Sequence, residues 1–183
     1  MSGYDASAAP RVVVGVSGSL GSVTALSRAV AEARCRGAEL WPVLAWEPPG
    51  EEVGTRRFPG PCPPADEWQR LAGRRLGSVL DDVFGGSGPG VPMRALVIRG
   101  TPGRALVETA ARDTDVLVVG AGRRGWHRAF SGHVSRYCLA HATCPVLAVP
   151  PSPLESDLSA AHRRNTWHLP LTTRDLRHHR DTR

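Results

Sequence analysis

The strongest chemical signal in the sequence is a cluster of glycines in its second half, namely Gly120, Gly122, Gly125 and Gly132. An apolar run at residues 116–119 precedes the cluster, and residues at helical spacing follow it: Phe130, Val134, Tyr137, Cys138 and His141. Between a parallel strand and a helix, a glycine-rich turn lets backbone N–H groups approach an anion at the helix N-terminus. The pattern therefore indicates phosphate binding, and the alternative is a tight turn that binds no ligand.

The sequence contains no residue pattern typical of an enzyme. It lacks paired carboxylates, a nucleophile elbow with Ser, His and Asp, and a metal-binding triad. All 23 basic residues are arginine, so the lysine of a P-loop is absent. Ser17 and Ser19 are arranged as in a phosphate-binding loop of ATP-cleaving proteins, but no carboxylates for magnesium accompany them. We therefore predict that the protein is not an enzyme.

Strand and helix patterns alternate along the chain. Strands are predicted at residues 12–16, 40–46, 93–98, 116–119 and 146–149, and Pro42 is unexpected in the second because it cannot donate to a ladder. Helices are predicted after each of the first four strands; the third begins with Thr101 as N-cap and Pro102 as its first residue. This order predicts an α/β fold, a doubly wound five-stranded parallel sheet that binds ligands at the carboxyl ends of its strands.

Composition narrows the class of protein further. The formal net charge of +6 comes from arginines spread along the chain, which predicts no specific nucleic-acid site. No apolar run approaches the ~20 residues that span a bilayer, and the N-terminus lacks an apolar signal segment, so we expect a cytoplasmic protein without membrane contact. The four cysteines show no metal-ligand spacing and are expected to be reduced thiols.

The two ends of the chain lack the strand and helix pattern. We predict a disordered N-terminus at residues 1–10, one domain at residues 11–150, and a disordered basic tail rich in His and Arg at residues 151–183. The tail holds His162, His168, His178 and His179, and a metal site there is the less favoured interpretation.

Several segments together resemble the universal stress protein family. They are RVVVGVSGS, VLAWEP, VIRGTPGRALVETAARDTDVLVVGAG and GHVSRYCLAHATCPVLAVP, and the resemblance covers about residues 11–150. Members of that family that bind ATP carry Gly-x2-Gly-x9-Gly-Ser/Thr after the fourth strand. Here Gly122 and Gly132 keep the long spacing, whereas Gly120 is one residue closer than the pattern and His133 replaces the hydroxyl residue. Ser17 stands where such proteins often have an acidic residue near the nucleoside.

The resemblance implies a Rossmann-like sheet of strand order 3-2-1-4-5, as in adenine nucleotide α-hydrolase-like folds. It also implies a regulatory module that binds ATP or a related adenine nucleotide without catalysis, with Mg²⁺ present only together with the nucleotide. The expected binding residues are Val16, Ser17, Ala45, Gly120, Gly122, Gly125, Gly132, His133, Val134 and Ser135.

Two other functions stay open at this point. The first is a stress-response protein that acts through protein contacts without nucleotide, and the second is a slow nucleotide hydrolase. The last strand, residues 146–149, lies at a sheet edge in the predicted order and is bracketed by Pro145 and Pro150. Because an apolar edge strand must be covered or paired, and because relatives commonly pair this strand, we expect a homodimer through it.

Overall fold

The computed structural model describes residues 9–48, 64–122 and 133–153. Five strands and four α-helices alternate along these ranges, and a short 3₁₀ turn follows the second helix. The strands are β1 (Arg11–Gly15), β2 (Glu39–Trp46), β3 (Leu96–Arg99), β4 (Val116–Gly120) and β5 (Val146–Val149). The helices are α1 (Leu20–Arg36), α2 (Ala65–Phe84), α3 (Pro102–Thr109) and α4 (His133–His141).

The strands form one parallel sheet in the order β3-β2-β1-β4-β5. Helices α1 and α2 cover one face, where they bury alternate strand residues such as Val12, Val14 and Leu40. Helices α3 and α4 cover the other face, which contains Val13 and Leu117. With both faces covered, the strands are apolar without alternation, as the sequence indicated. The predicted fold class and strand order are therefore confirmed.

Pro42 lies within β2, between two neighbouring strands, without breaking the sheet. Leu40 directs both its N–H and its C=O to the β3 side, so Pro42, two residues later, faces the same side. Pairing on that side is interrupted between the isolated bridge at Met93 and the ladder that starts at Val43 and Leu96. The missing N–H therefore falls where no ladder bond is made. For the same reason β3 begins at Leu96 and not at Met93 as predicted.

A buried ion pair joins β1 to β4 at the amino ends of these strands. The guanidinium of Arg11 donates from Nε to Oδ1 of Asp115 over 2.9 Å and from Nη2 to Oδ2 over 2.5 Å. Asp115 is fully buried and also accepts the backbone N–H of Arg112. The Arg11 guanidinium stacks 4.4 Å above the ring of Trp41, so the charge is also packed against β2.

Cys138 and Cys144 are buried free thiols on the face of the sheet that α3 and α4 cover. Burial raises the pKa of Cys138 to about 11. The pKa of Cys144 is raised as well, first by burial and then by the negative charge of Asp115. Both side chains therefore stay protonated at neutral pH and serve as small apolar core residues.

No helix within the described ranges is both long enough and apolar enough to cross a membrane. The predicted domain boundaries stay predictions. Of the two ends predicted to be disordered, only residues 9, 10 and 151–153 lie within the described ranges, and Pro10 there accepts the N–H of Glu39 over 2.9 Å.

Candidate functional site

The carboxyl ends of β1 and β4 form the point where the direction of the sheet's connections changes. These two strands are neighbours, but β1 leads into a helix on one face of the sheet and β4 leads towards a helix on the other. Connections that diverge in this way leave a crevice between the two strand ends, the usual ligand position in open α/β sheets. The turn after β1 therefore lies beside the end of β4, which holds Gly120 and is followed by Gly122.

Serine hydroxyls line the turn after β1. The Oγ atoms of Ser17 and Ser19 are 3.0 Å apart, and Ser19 is the N-cap of α1, where its Oγ accepts the N–H of Ser22 over 3.3 Å. Gly18 between them has φ of +77°, which only glycine adopts readily. Ser17 and Ser19 are exposed, and the first turn of α1 has no acidic side chain. The turn therefore presents hydroxyl groups at a helix start that favours anions.

The end of β4 packs closely against the start of α1. A Cβ atom added to Gly120 would stand 3.2 Å from the carbonyl oxygen of Gly21, which is tighter than an ordinary contact. Gly122 has φ of +76°, so the chain turns sharply two residues after the last residue of β4. The first two glycines of the cluster therefore serve a close backbone approach and a left-handed turn, as the phosphate hypothesis requires.

The start of α4 supplies three predicted residues in three different environments. His133 is the first helical residue and is exposed, whereas Val134 packs against the core of that face. Ser135 is buried, on the same inner side of α4 as Cys138. Only His133 of these three presents its side chain to solvent at the helix start. Gly125 and Gly132 lie outside the described residues.

Val16 and Ala45, two further residues that were expected to bind the nucleotide, lie on opposite faces of the sheet. Val16 is 4% exposed in the core under α1, and its N–H donates to the carbonyl of Val43 over 2.8 Å. Its side chain is therefore not accessible to a ligand. Ala45 is half-buried near the end of β2, which extends beyond the end of β1.

Sequence reasoning missed Arg75, a residue of α2 that reaches the same turn. Its Nη2 donates to the carbonyl oxygen of Ser17 over 2.7 Å. The separation of 58 residues gives no sequence signal for this contact.

Within the described ranges, no group of three or more His, Cys, Asp or Glu side chains is arranged to hold a metal ion.

A sequence profile of the universal stress protein family matches residues 9–150. The chain belongs to this family. A universal stress protein solved in complex with cAMP is 27% identical, with a TM-score of 0.50, and the match covers 80% of this chain and 100% of that one. A comparison with curated proteins finds no match.

Two further universal stress proteins show the same fold. UspA from Lactobacillus plantarum is 21% identical with a TM-score of 0.55, and the match covers 76% of this chain and 97% of that one. A family member from Burkholderia pseudomallei is 24% identical with a TM-score of 0.50, and the match covers 78% and 96% of the two chains. These two matches show the fold, and the predicted family is confirmed by the profile match to residues 9–150.

Proposed function

We propose that this universal stress protein binds an adenine nucleotide in the crevice between β1 and β4 and acts as a regulatory module. The observation that carries the proposal is the close approach of Gly120 to the first turn of α1, directly beside the Ser17–Ser19 hydroxyl pair. This arrangement brings backbone N–H groups, hydroxyl groups and the positive end of a helix to one edge of the sheet. The 27% identical relative was solved in complex with cAMP, which supports an adenine nucleotide as the class of ligand.

The site residues of the proposal divide into those that present side chains and those that present backbone. Ser17 and His133 offer exposed polar groups, whereas Val16, Gly120 and Gly122 contribute backbone. ATP is the ligand we expect, with the base towards Ala45 and the phosphates towards the start of α4. Mg²⁺ enters only together with the phosphates that bind it.

Replacing Gly120 with alanine tests the position of the site. The new Cβ would stand 3.2 Å from the Gly21 carbonyl oxygen, so the end of β4 and the start of α1 must move apart by a few tenths of an ångström. Calorimetric titration with ATP and ADP should then show about a tenfold loss of affinity, equal to about 1.4 kcal/mol. Gly77→Ala is the matched control, because a Cβ at Gly77 meets nothing within 4 Å.

Two results would contradict the proposal in different ways. If the wild-type protein gives no heat and no thermal shift with millimolar ATP or ADP, nucleotide binding itself is wrong. If Gly120→Ala and Gly77→Ala bind equally well, the ligand lies elsewhere. In the first case, the remaining candidate is a protein that acts through protein contacts alone.

We further propose that the bound nucleotide is not turned over. Within the described residues, no group of three or more His, Cys, Asp or Glu side chains is arranged to hold a metal ion, and Ser17 places a hydroxyl and not a carboxylate on the turn after β1. The titration samples allow a direct check, because released phosphate can be measured in them. A rate near ~1 per second, low but ordinary for an enzyme, would show that the protein is a nucleotide hydrolase.

We also propose that the protein forms a homodimer through β5. In the ladder with β4, Leu117 donates to Pro145 and Ala121 donates to Val149, so residues 145, 147 and 149 face β4. The N–H groups of Val146 and Ala148 therefore point away from the sheet. An edge strand with outward donors is a template for pairing with a second copy across a two-fold axis.

Ala148→Pro removes one outward N–H and leaves the ladder with β4 intact. Ala148 is exposed and proline is tolerated where the N–H of an edge strand faces solvent, so the fold should be retained. Light scattering at micromolar concentration should show a dimer for the wild-type chain and a monomer for Ala148→Pro. Ala148→Ser keeps the N–H and should stay dimeric. A wild-type monomer, or a dimeric proline variant, would contradict pairing through β5.

Cytoplasmic localisation also stays a prediction.

A further inference from the structure

A fixed cation lies on the turn after β1. The Nη2 of Arg75 donates to the Ser17 carbonyl oxygen over 2.7 Å. Its Nε and Nη2 are each 3.5 Å from the point where a Cβ on Gly18 would stand. The guanidinium therefore spans two consecutive residues of the turn, and it does so next to the Ser17 and Ser19 hydroxyls.

The core anchors the helix that carries this arginine. Ala72, Leu76 and Leu80 are buried on the inner face of α2, and Val79 also contacts the position of Gly18. The direction of the Arg75 side chain is thus set by a packed helix and by the bond to Ser17. Among the described residues, Arg75 has no carboxylate in ion-pair contact. The one hydrogen bond that Arg75 makes within the described part of the chain, to a backbone carbonyl, leaves most of its five N–H donors and its full charge for a ligand.

The side chains at this turn differ from those of a turn that binds an unmodified ribose. A carboxylate after a strand accepts the hydrogen bonds of the ribose hydroxyls, and its charge repels a phosphate attached to the same ring. Here the turn has a serine in that position and a guanidinium beside it. In dinucleotide sites, an arginine near the ribose accommodates the 2′-phosphate, because the planar guanidinium pairs with two phosphate oxygens.

We propose that Arg75 makes this site selective for adenine nucleotides that carry a phosphate on the 2′ or 3′ oxygen of the ribose. The inference rests on the proposed function, because it places the ribose of the bound nucleotide beside Ser17. The start of α1 adds to the selectivity. This helix has 17 residues and no acidic side chain in its first turn, so its positive end also faces the added phosphate.

Calorimetric titration with four probes tests the inference: AMP, ATP, adenosine 2′,5′-bisphosphate and adenosine 3′,5′-bisphosphate. At least one bisphosphate should bind the wild-type protein roughly 10- to 100-fold more tightly than AMP, which corresponds to a charge-assisted hydrogen bond. It should also exceed ATP, which carries a similar charge and therefore controls for general attraction to a protein of net charge +6. The isomer that binds more tightly identifies which ribose oxygen faces Arg75.

Two variants separate the role of Arg75 from that of the total charge. Arg75→Gln should reduce the advantage of the bisphosphate over AMP, measured on the same variant, to less than about threefold. Arg74→Gln removes the same charge from the next exposed position of α2 and should keep the full advantage. Both positions are exposed, so thermal unfolding of the two variants should match the wild type.

The outcomes distinguish this inference from the proposed function. If AMP and ATP bind but neither bisphosphate has an advantage, the inference is wrong and the proposed function holds. An advantage that survives in Arg75→Gln contradicts the assignment to Arg75. If none of the four probes binds, both the inference and the proposed function are wrong.

Discussion

Replacing Asp115 with alanine is expected to lower the free energy of unfolding by about 3–5 kcal/mol. Asp115 is fully buried, and both of its carboxylate oxygens accept hydrogen bonds from one edge of the guanidinium of Arg11, a residue that is only 8% exposed. The substitution leaves a buried positive charge without its partner and also removes the acceptor for the Arg112 N–H. Urea denaturation followed by circular dichroism measures the change.

Two controls show whether the loss comes from the broken pair. The double variant Arg11→Met with Asp115→Leu removes both charges and fills the space with apolar atoms, so it should recover most of the stability. Glu108→Ala breaks the exposed pair between Arg104 and Glu108 and should have no measurable effect. A loss below about 1 kcal/mol for Asp115→Ala would show that the pair contributes no more than an ordinary surface contact.

Replacing Gly103 with alanine is expected to lower the free energy of unfolding by about 1–3 kcal/mol through overpacking. Gly103 lies in the first turn of α3, and an added Cβ would stand 2.8 Å from Cδ1 and 3.0 Å from Cβ of Tyr137. The clash involves the base of the tyrosine side chain, which cannot turn away without moving α4. The Tyr137 ring is also stacked on His141 at 4.1 Å, which restricts it further.

The same substitution at Gly73 should have the opposite sign. Gly73 lies inside α2, and a Cβ there meets nothing within 4 Å, so alanine should raise the free energy of unfolding by roughly 0.5–1 kcal/mol. Thermal and urea unfolding of the two variants gives a direct comparison. If Gly103→Ala is as stable as the wild type, α3 and α4 have more room between them than the structure shows. The proposed function places the phosphates at the start of α4, so it predicts that Gly103→Ala also weakens nucleotide binding.

Local patterns in the sequence were sufficient for the sheet. Strand β5 has the predicted bounds, and α3 begins at Pro102 after Thr101 as predicted, although the Thr101 side chain makes no capping hydrogen bond. The covered faces of a parallel sheet give apolar runs that are easy to recognise. The start of β3 was missed because it depends on Pro42 of the neighbouring strand, and pairing across strands leaves no local signal.

The candidate site was only partly predictable for a related reason. The glycines at 120 and 122 indicated a close approach and a sharp turn, and the structure has both. The burial of Val16 and Ser135 depends on which side of the sheet or helix each faces. The contact of Arg75 with Ser17 and the pair of Arg11 with Asp115 join residues far apart in the chain. Such contacts follow from the packed fold and not from spacing.

The amino ends and the carboxyl ends of β1 and β4 differ in character: the first hold a buried ion pair, and the second hold exposed polar residues. At the amino ends, Arg11 and Asp115 lock the strands together, while the carboxyl ends open into exposed serines, glycines and His133. Exposed side chains at the carboxyl ends, such as those of Ser17 and His133, can be exchanged with little loss of folding stability, since the ion pair lies at the other end of the same strands. Substitutions of such side chains can therefore change the chemistry of this edge of the sheet and leave the ion pair that joins the two strands intact.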